Sequence, residues 1–323
     1  MSLDDAHVAA ATSVFAFCKK QGIYFADAEV SVTINRRKIS LRGSSLGFGE
    51  ELSRRRCRSE LLERWAHLEW ELAGSPELTG RGISTGQTYT GLLQPGMAAA
   101  GEDPDGSGYC AGPAPVKHHI VAHGLMEVIE RDSVVRLFDR HEVSLFDSTS
   151  SIPEALHCLL RGQKAAAEAW IVQRPGLPPT AVALVRCQST GAAAVGTACK
   201  YTDYDAIYRA VLEGVMMLTT VRHTLRMDTP PPQMDGILWA SNHSTALREE
   251  LRAKQATRAT APTHIPEDLS ALAAGVRSAL GSEPIAVHFP LKHSRVSATE
   301  VWRVLVPGAL NPAQAKRQPW PIG

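Results

Sequence analysis

The chain of 323 residues has no apolar run long enough to cross a bilayer, which excludes a helical membrane span. It has no excess of either charge: 34 Lys and Arg stand against 33 Asp and Glu, a formal net charge of +1. That balance offers nothing to nucleic acid or to an anionic membrane surface. There is no C-x-x-C pair, and the histidines, His118, His119 and His123 among them, show no spacing typical of zinc ligands. The six cysteines (Cys18, Cys57, Cys110, Cys158, Cys187, Cys199) are scattered. In a chain this long they read as reduced core thiols, which places the protein in the cytoplasm. The N-terminus, M-S-L-D-D, is acidic where a secretory signal would be basic.

What is present is a hydrophobic content of 44%, enough to bury a large core in one domain or two. Within it stands Met126 to Asp132, M-E-V-I-E-R-D, with an echo earlier in the chain. Glu127-Val-Ile-Glu130-Arg131 repeats the pattern Glu60-Leu-Leu-Glu63-Arg64, sixty-seven positions upstream. Both read as helical, and residues i and i+3 share a helix face, so each copy presents two adjacent carboxylates. A lone E-x-x-E-R is most often a solvated face with a weak salt bridge. The second copy lies in I-V-A-H-G-L-M-E-V-I-E-R-D-S-V-V-R-L-F, apolar on nearly every side, where an unpaired charge is costly. Two such faces together would hold a hard divalent cation such as Mg2+ beside nucleotide phosphates.

Around these motifs the spacing predicts a helix over Ala6 to Gln21 and a strand pair over Glu29 to Leu41. Gly43 to Gly49 reads as a small-residue turn leading into the helix Glu51 to Ala73, and Asp105 to Gly112 as a second such turn before the second motif. Backbone N–H groups in turns of this kind can cradle phosphate, which makes Gly108 and Gly112 candidate contacts. Gly74 to Gly112 reads as a long loop. Strands are expected at Leu145 to Ser148, Ala167 to Gln173, Ala181 to Gln188, Pro284 to Phe289 and Glu300 to Val306. Helices are expected at Pro153 to Leu160, Asp203 to Leu225, Leu247 to Gln255 and Pro266 to Leu280, with Gly191 to Lys200 a loop of small residues. Arg209 and Glu213 stand at i and i+4 on the long helix. The tail, ending Q-P-W-P-I-G, suits an extended path in a groove.

In this order the second glycine stretch with G-L-M-E-V-I-E-R-D, the earlier E-L-L-E-R-W, the later A-I-Y-R-A-V-L-E, the strand V-W-R-V-L-V-P-G and the tail P-W-P resemble the YcaO family. The similarity runs from about Gly43 to the C-terminus. It implies an α/β fold, a single YcaO-like domain whose pseudo-symmetric halves, about 1–100 and 101–323, enclose an ATP site. It also implies ATP- and Mg2+-dependent activation of a peptide backbone amide. A Cys, Ser or Thr side chain as nucleophile would give an azoline; sulfide would give a thioamide, and an amine an amidine.

Carried over by position, Glu60, Glu63, Glu127 and Glu130 match the metal and phosphate carboxylates, and Arg131 the phosphate-contacting arginine. Glu213 falls at the glutamate of the third motif, and Pro319 and Pro321 match the tail placed near the active site. The chain departs from the family pattern at Asp105, at His119 in place of an acid, and at Met216 and Met217. A non-catalytic member that binds peptide or scaffolds a partner is therefore the alternative. The expected partners are a precursor peptide or protein and a separate peptide-recognition or TfuA-like protein. A homodimer through Leu247 to Gln255 or the last strand is compatible with the sequence.

Overall fold

The structure, a computed structural model, describes residues 3–4, 12–19, 22–34, 37–91, 106–140, 143–228, 235–255, 267–289, 294–295 and 299–310. The fold is α/β, with three-, four- and five-stranded sheets and helices among the described residues. The chain divides into two compact units. One holds residues 1–128, 268–277 and 282–308; the other holds 129–267, 278–281 and 309–323.

The first unit opens with an antiparallel sheet of β1 (Thr12–Cys18), β2 (Ile23–Ile34) and β3 (Arg37–Phe48). The expected hairpin is there, longer than its spacing suggested. Its register pairs Glu29 with Arg42, whose side chains meet at 2.6 Å. The helix expected over Ala6 to Gln21 is not formed where the chain is described. Thr-Ser-Val-Phe-Ala-Phe-Cys is strand β1, because its β-branched and aromatic residues find a partner strand in β2, and tertiary pairing overrides local helical spacing.

Helix α1 (Glu50–Leu72) follows as expected. Glu50 and Glu51 favour its N-terminus, and the pairs Arg54–Glu50 and Arg55–Glu51 support its first turns. Its inner face buries Cys57, Leu61, Leu62 and Trp65 in a core with Ala26, Ala28 and Val32. Residues 74–112, read as a loop, contain β4 (Gly80–Gly82), β5 (Thr88–Tyr89) and β6 (Gly106–Pro113). These join β11 (Ile285–Phe289) and β12 (Thr299–Val306) in a five-stranded sheet of order β5-β4-β11-β12-β6.

Neither glycine stretch is a turn. Gly43 to Phe48 lies within β3 and Gly106 to Pro113 is β6. The reason is close packing: a Cβ on Gly43 would stand 2.3 Å from the Cys57 carbonyl, and one on Gly108 would stand 2.0 Å from the Gly124 carbonyl. The glycines let a helix lie directly on a strand.

Helix α2 (Lys117–Val135) carries the second motif and widens into a π turn over Arg136–Arg140. The second unit is then built on β7 (Ser144–Asp147), α3 (Glu154–Gly162), β8 (Ala165–Gln173), β9 (Thr180–Cys187), β10 (Ala193–Cys199) and α4 (Asp203–Thr224). The sheet order is β10-β9-β8-β7, antiparallel throughout. The stretch read as a loop of small residues is β10, buried at every position. Its residues are small because α4 lies against it: a Cβ on Gly196 would meet the Ala210 carbonyl at 2.2 Å. Helices α5 (Asp235–Asn242), which the spacing does not announce, and α6 (Ser244–Ala253) follow. Leu247 and Leu251 of α6 are buried while its charged side faces outward, as expected of an amphipathic surface helix. Helix α7 (Leu269–Leu280) precedes β11. No helix among the described residues is long and apolar enough to cross a membrane. Asp105, the Thr229 to Gln233 break, Pro319 and Pro321 lie outside the described residues.

Candidate functional site

Three of the four motif carboxylates come together in the first unit. Glu60 and Glu63 project from α1, one turn apart. Glu60 accepts the Ser44 backbone N–H at 2.7 Å on Oε2 and pairs with Arg64 at 2.7 Å through Oε1. Glu63 accepts the Ala111 N–H at 2.9 Å on Oε1. Glu127, on α2, accepts the Tyr109 N–H at 2.9 Å on Oε2. A residue on a strand presents its backbone sideways, so alternate amides of β6 serve two helices. Gly108 and Gly112 make room for α2 on the same strand; they form no phosphate-cradling turn.

The electrostatics match this crowding. Burial, then the charges of Glu127 and Glu60, hold the Glu63 carboxyl well above the usual carboxylate range, against the lowering effect of the Ala111 hydrogen bond. Burial, then Glu63 and Glu127, likewise push the Cys110 thiol up. Cys110 is therefore an inert spacer in the strand rather than a nucleophile.

Glu130 lies one turn beyond Glu127 on α2, within the second unit. Thr197 Oγ1 donates to its Oε1 at 2.6 Å and the Cys199 N–H to its Oε2 at 3.1 Å. Arg131 follows it, half-buried. Glu213 lies half-buried on α4, in the i,i+4 position to Arg209 that the sequence predicts. His119 is exposed in the first turn of α2.

The sequence reading missed the backbone partners of the carboxylates, since amides leave no residue signature, and it missed Thr197, which it placed in a loop. It also passed over Asp132, which the structure buries completely, with a guanidinium donor from Arg136 at 2.9 Å and another from Arg174. Its signal was a charged residue inside an apolar helix.

Among the described residues, no group of three or more His, Cys, Asp or Glu side chains forms a ready-made metal cage. Mg2+ does not ask for one. It takes one or two carboxylates and completes its octahedron with water and substrate phosphate oxygens. The donor set fits: hard oxygens only, and a Glu63 carboxyl whose repulsion from Glu127 and Glu60 a divalent cation relieves.

The profile of the family described as YcaO cyclodehydratase, ATP- and Mg2+-binding, matches residues 107–310, more than half of the chain. No curated protein matches it significantly. Among solved structures, YcaO from Methanopyrus kandleri bound with AMPPCP and Mg2+ is similar over 97% of this chain and 90% of its own. The identity is 15% and the TM-score 0.61. A heterocyclase in complex with substrate and cofactor is similar over 89% of this chain and 48% of its own, at 13% identity and TM-score 0.63. A chain of the E. coli microcin synthetase complex with pro-MccB17 bound is similar over 91% of this chain and 86% of its own, at 12% identity and TM-score 0.61. These likenesses establish the fold. The family description makes ATP and Mg2+ the cofactors, in accord with the carboxylates present. The chain belongs to the YcaO family.

Proposed function

We propose that this chain activates a backbone amide of a peptide at the expense of ATP, and closes a Cys, Ser or Thr side chain onto the amide carbon to give an azoline. The observation that carries the reading is the suspension of Glu63 and Glu127 from alternate amides of β6, with Glu60 beside them. ATP would supply the phosphoryl group that makes the amide oxygen a leaving group, and Mg2+ would neutralise charge on the phosphates. The carboxylates of Glu60, Glu63 and Glu127 hold the metal. By the resemblance, Glu130 is a further metal carboxylate, Arg131 contacts phosphate, and Glu213 belongs to the cofactor-binding set. Fixed carboxylates and a guanidinium orient the phosphates before reaction, so little reorganisation is left for the reaction itself. By the resemblance, Pro319 and Pro321 are assigned to the catalytic set. The substrate is a precursor peptide, delivered by a separate recognition protein. A sulfide or an amine in place of the side chain would give a thioamide or an amidine by the same activation.

A second reading, a non-catalytic peptide-binding member, is favoured by the exposed His119 where the family carries an acid. Calorimetric titration with AMPPCP, with and without Mg2+, separates the two. Magnesium-dependent binding that Glu127→Gln abolishes in a folded protein supports the enzyme. Absence of binding in the folded wild type supports the scaffold.

A further inference from the structure

Glu130 is half-buried, and both of its carboxylate oxygens are held by β10. Thr197 Oγ1 donates to Oε1 at 2.6 Å, and the Cys199 N–H donates to Oε2 at 3.1 Å. Strand β10 is an edge of its sheet, so the amides on its outer side have no partner strand. Cys199 gives its amide to Glu130; at the other end of the strand Ala193 gives its own to Ser241 Oγ of α5, at 3.1 Å. Between these two ties the strand is pressed against α4, where Gly196 leaves no room for a Cβ beside the Ala210 carbonyl. Thr197 comes next, so its side chain points to the opposite face. In A-A-V-G-T-A-C it is the one residue with a hydroxyl, and it is only 3% exposed. Glu130 and all of β10 belong to the second unit.

The two donors are neutral, so they orient the carboxylate without cancelling its charge. Asp132, two residues further along α2, shows the other solution: it is completely buried, and the guanidiniums of Arg136 and Arg174 meet it, so its charge is spent inside the fold. A hydroxyl and an amide leave the charge of Glu130 to a ligand and decide only which way it faces. Threonine suits that task, because a β-branched side chain has few rotamers and its hydroxyl, once packed, keeps one direction. We infer that Thr197 is a positioning residue: its hydroxyl fixes the Glu130 carboxylate in the orientation that receives Mg2+. The inference rests on the function proposed above, in which Glu130 is a metal carboxylate. Groups that orient a metal ligand from behind govern affinity by about 10–100-fold.

The test compares Thr197→Val, which keeps the shape and removes the hydroxyl, with Thr197→Ser, which keeps the hydroxyl. The intact chain is titrated with Mg2+ in a calorimeter at saturating AMPPCP. Thr197→Val should raise the half-saturating Mg2+ concentration about tenfold, and Thr197→Ser should stay within about threefold of wild type. At saturating Mg2+, all three proteins should bind AMPPCP alike, since the defect lies in taking up the metal. Hydrogen exchange of the ligand-free protein should match wild type over β9 and β10 in both variants, which separates orientation of Glu130 from loosening of the strand. The inference is overturned if Thr197→Val takes up Mg2+ like wild type, or if Thr197→Ser is as weak as Thr197→Val. It is equally overturned if excess Mg2+ leaves the AMPPCP defect in place, or if exchange rises along β9 and β10. Should Thr197→Val fail to fold, Thr197→Ala takes its place against Thr197→Ser. A folded wild type that binds no Mg-AMPPCP sinks the functional reading together with this inference; a wild type that binds it beside an unaffected Thr197→Val sinks the inference alone.

Discussion

Glu63 and Glu127 hang from the same strand, one accepting the N–H of Ala111 and the other that of Tyr109, each at 2.9 Å. The two carboxylates reach that strand from different helices, and neither bond brings a cation with it. Two amide dipoles orient the carboxylates, and the Glu63 carboxyl also feels the charges of Glu127 and Glu60, against the lowering effects of the Ala111 bond and Arg64. Burial and this repulsion are what hold the Glu63 carboxyl high.

Glu63→Gln should therefore separate stability from binding. The amide keeps an acceptor for the Ala111 N–H and removes the repelled charge, so the free protein should melt roughly 2–4 °C higher at neutral pH. Affinity for Mg-AMPPCP should fall about tenfold or more, because a ligand charge is gone. Calorimetry and a thermal melt on the same sample measure both. A variant that melts lower and binds normally would show that Glu63 is a structural residue.

The same group sets a pH dependence. Glu63 binds its proton more tightly when folded, above the ordinary carboxyl value of 4.5. Its contribution to stability is thus present below 4.5 and is lost as pH rises through the raised value. Magnesium must displace that proton, so affinity for Mg-AMPPCP should increase with pH and then level off. Titrations at a series of pH values in buffers of different ionisation enthalpy should show proton release on binding that fades as pH rises, and none in Glu63→Gln. Equal release by the two proteins would assign the proton to another group.

The chemistry-bearing helices were legible in the sequence; the strands beneath them were not. E-L-L-E-R and E-V-I-E-R sit on long runs free of helix breakers other than Gly124, and the largely apolar β9 declares itself by composition. The glycine stretches misled, because Gly serves both tight turns and close packing, and the two uses differ only in a neighbour 14 to 16 residues away along the chain. Gly43 under α1, Gly108 under α2 and Gly196 under α4 are the same device three times. Strand β1 was lost for a related reason: its partner strand supplies the decisive bonds, and no local window contains it. The backbone donors at Tyr109 and Ala111 carry no side-chain signal at all.

If Gly108 is a packing glycine, its substitution should act on the carboxylates. In Gly108→Ala the new Cβ would face backbone atoms of Gly124, which cannot move aside alone, so α2 must shift from β6. A loss of about 1–3 kcal/mol in urea unfolding is expected, together with weaker Mg-AMPPCP binding as Glu127 leaves the Tyr109 amide. Gly112→Ala meets only the Ile120 side chain, at 3.0 and 3.1 Å, and should be milder in both assays. Equal effects at the two positions would remove the packing argument.

Cys187 offers a test of the second unit that does not depend on nucleotide. Arg222 Nη2 lies 2.8 Å from its sulfur and also donates to the Gln163 carbonyl at 2.6 Å, while Ser189 Oγ lies 3.3 Å from the sulfur. Burial pushes the thiol up, but hydrogen bonds from Ser189, Thr190 and Arg222 outweigh it and lower the thiol from 9.0 to about 6. A depressed acid stabilises the fold above its unfolded value and loses that contribution as pH falls through its folded one. The stability gap between wild type and Cys187→Ser should therefore be small at pH 5 and should widen by about 1–3 kcal/mol at pH 8.5, the range for a hydrogen bond to a charged group. Urea unfolding under reducing conditions at the two pH values measures it. A gap independent of pH would mean that the sulfur stays protonated and that Arg222 is held by Gln163 alone.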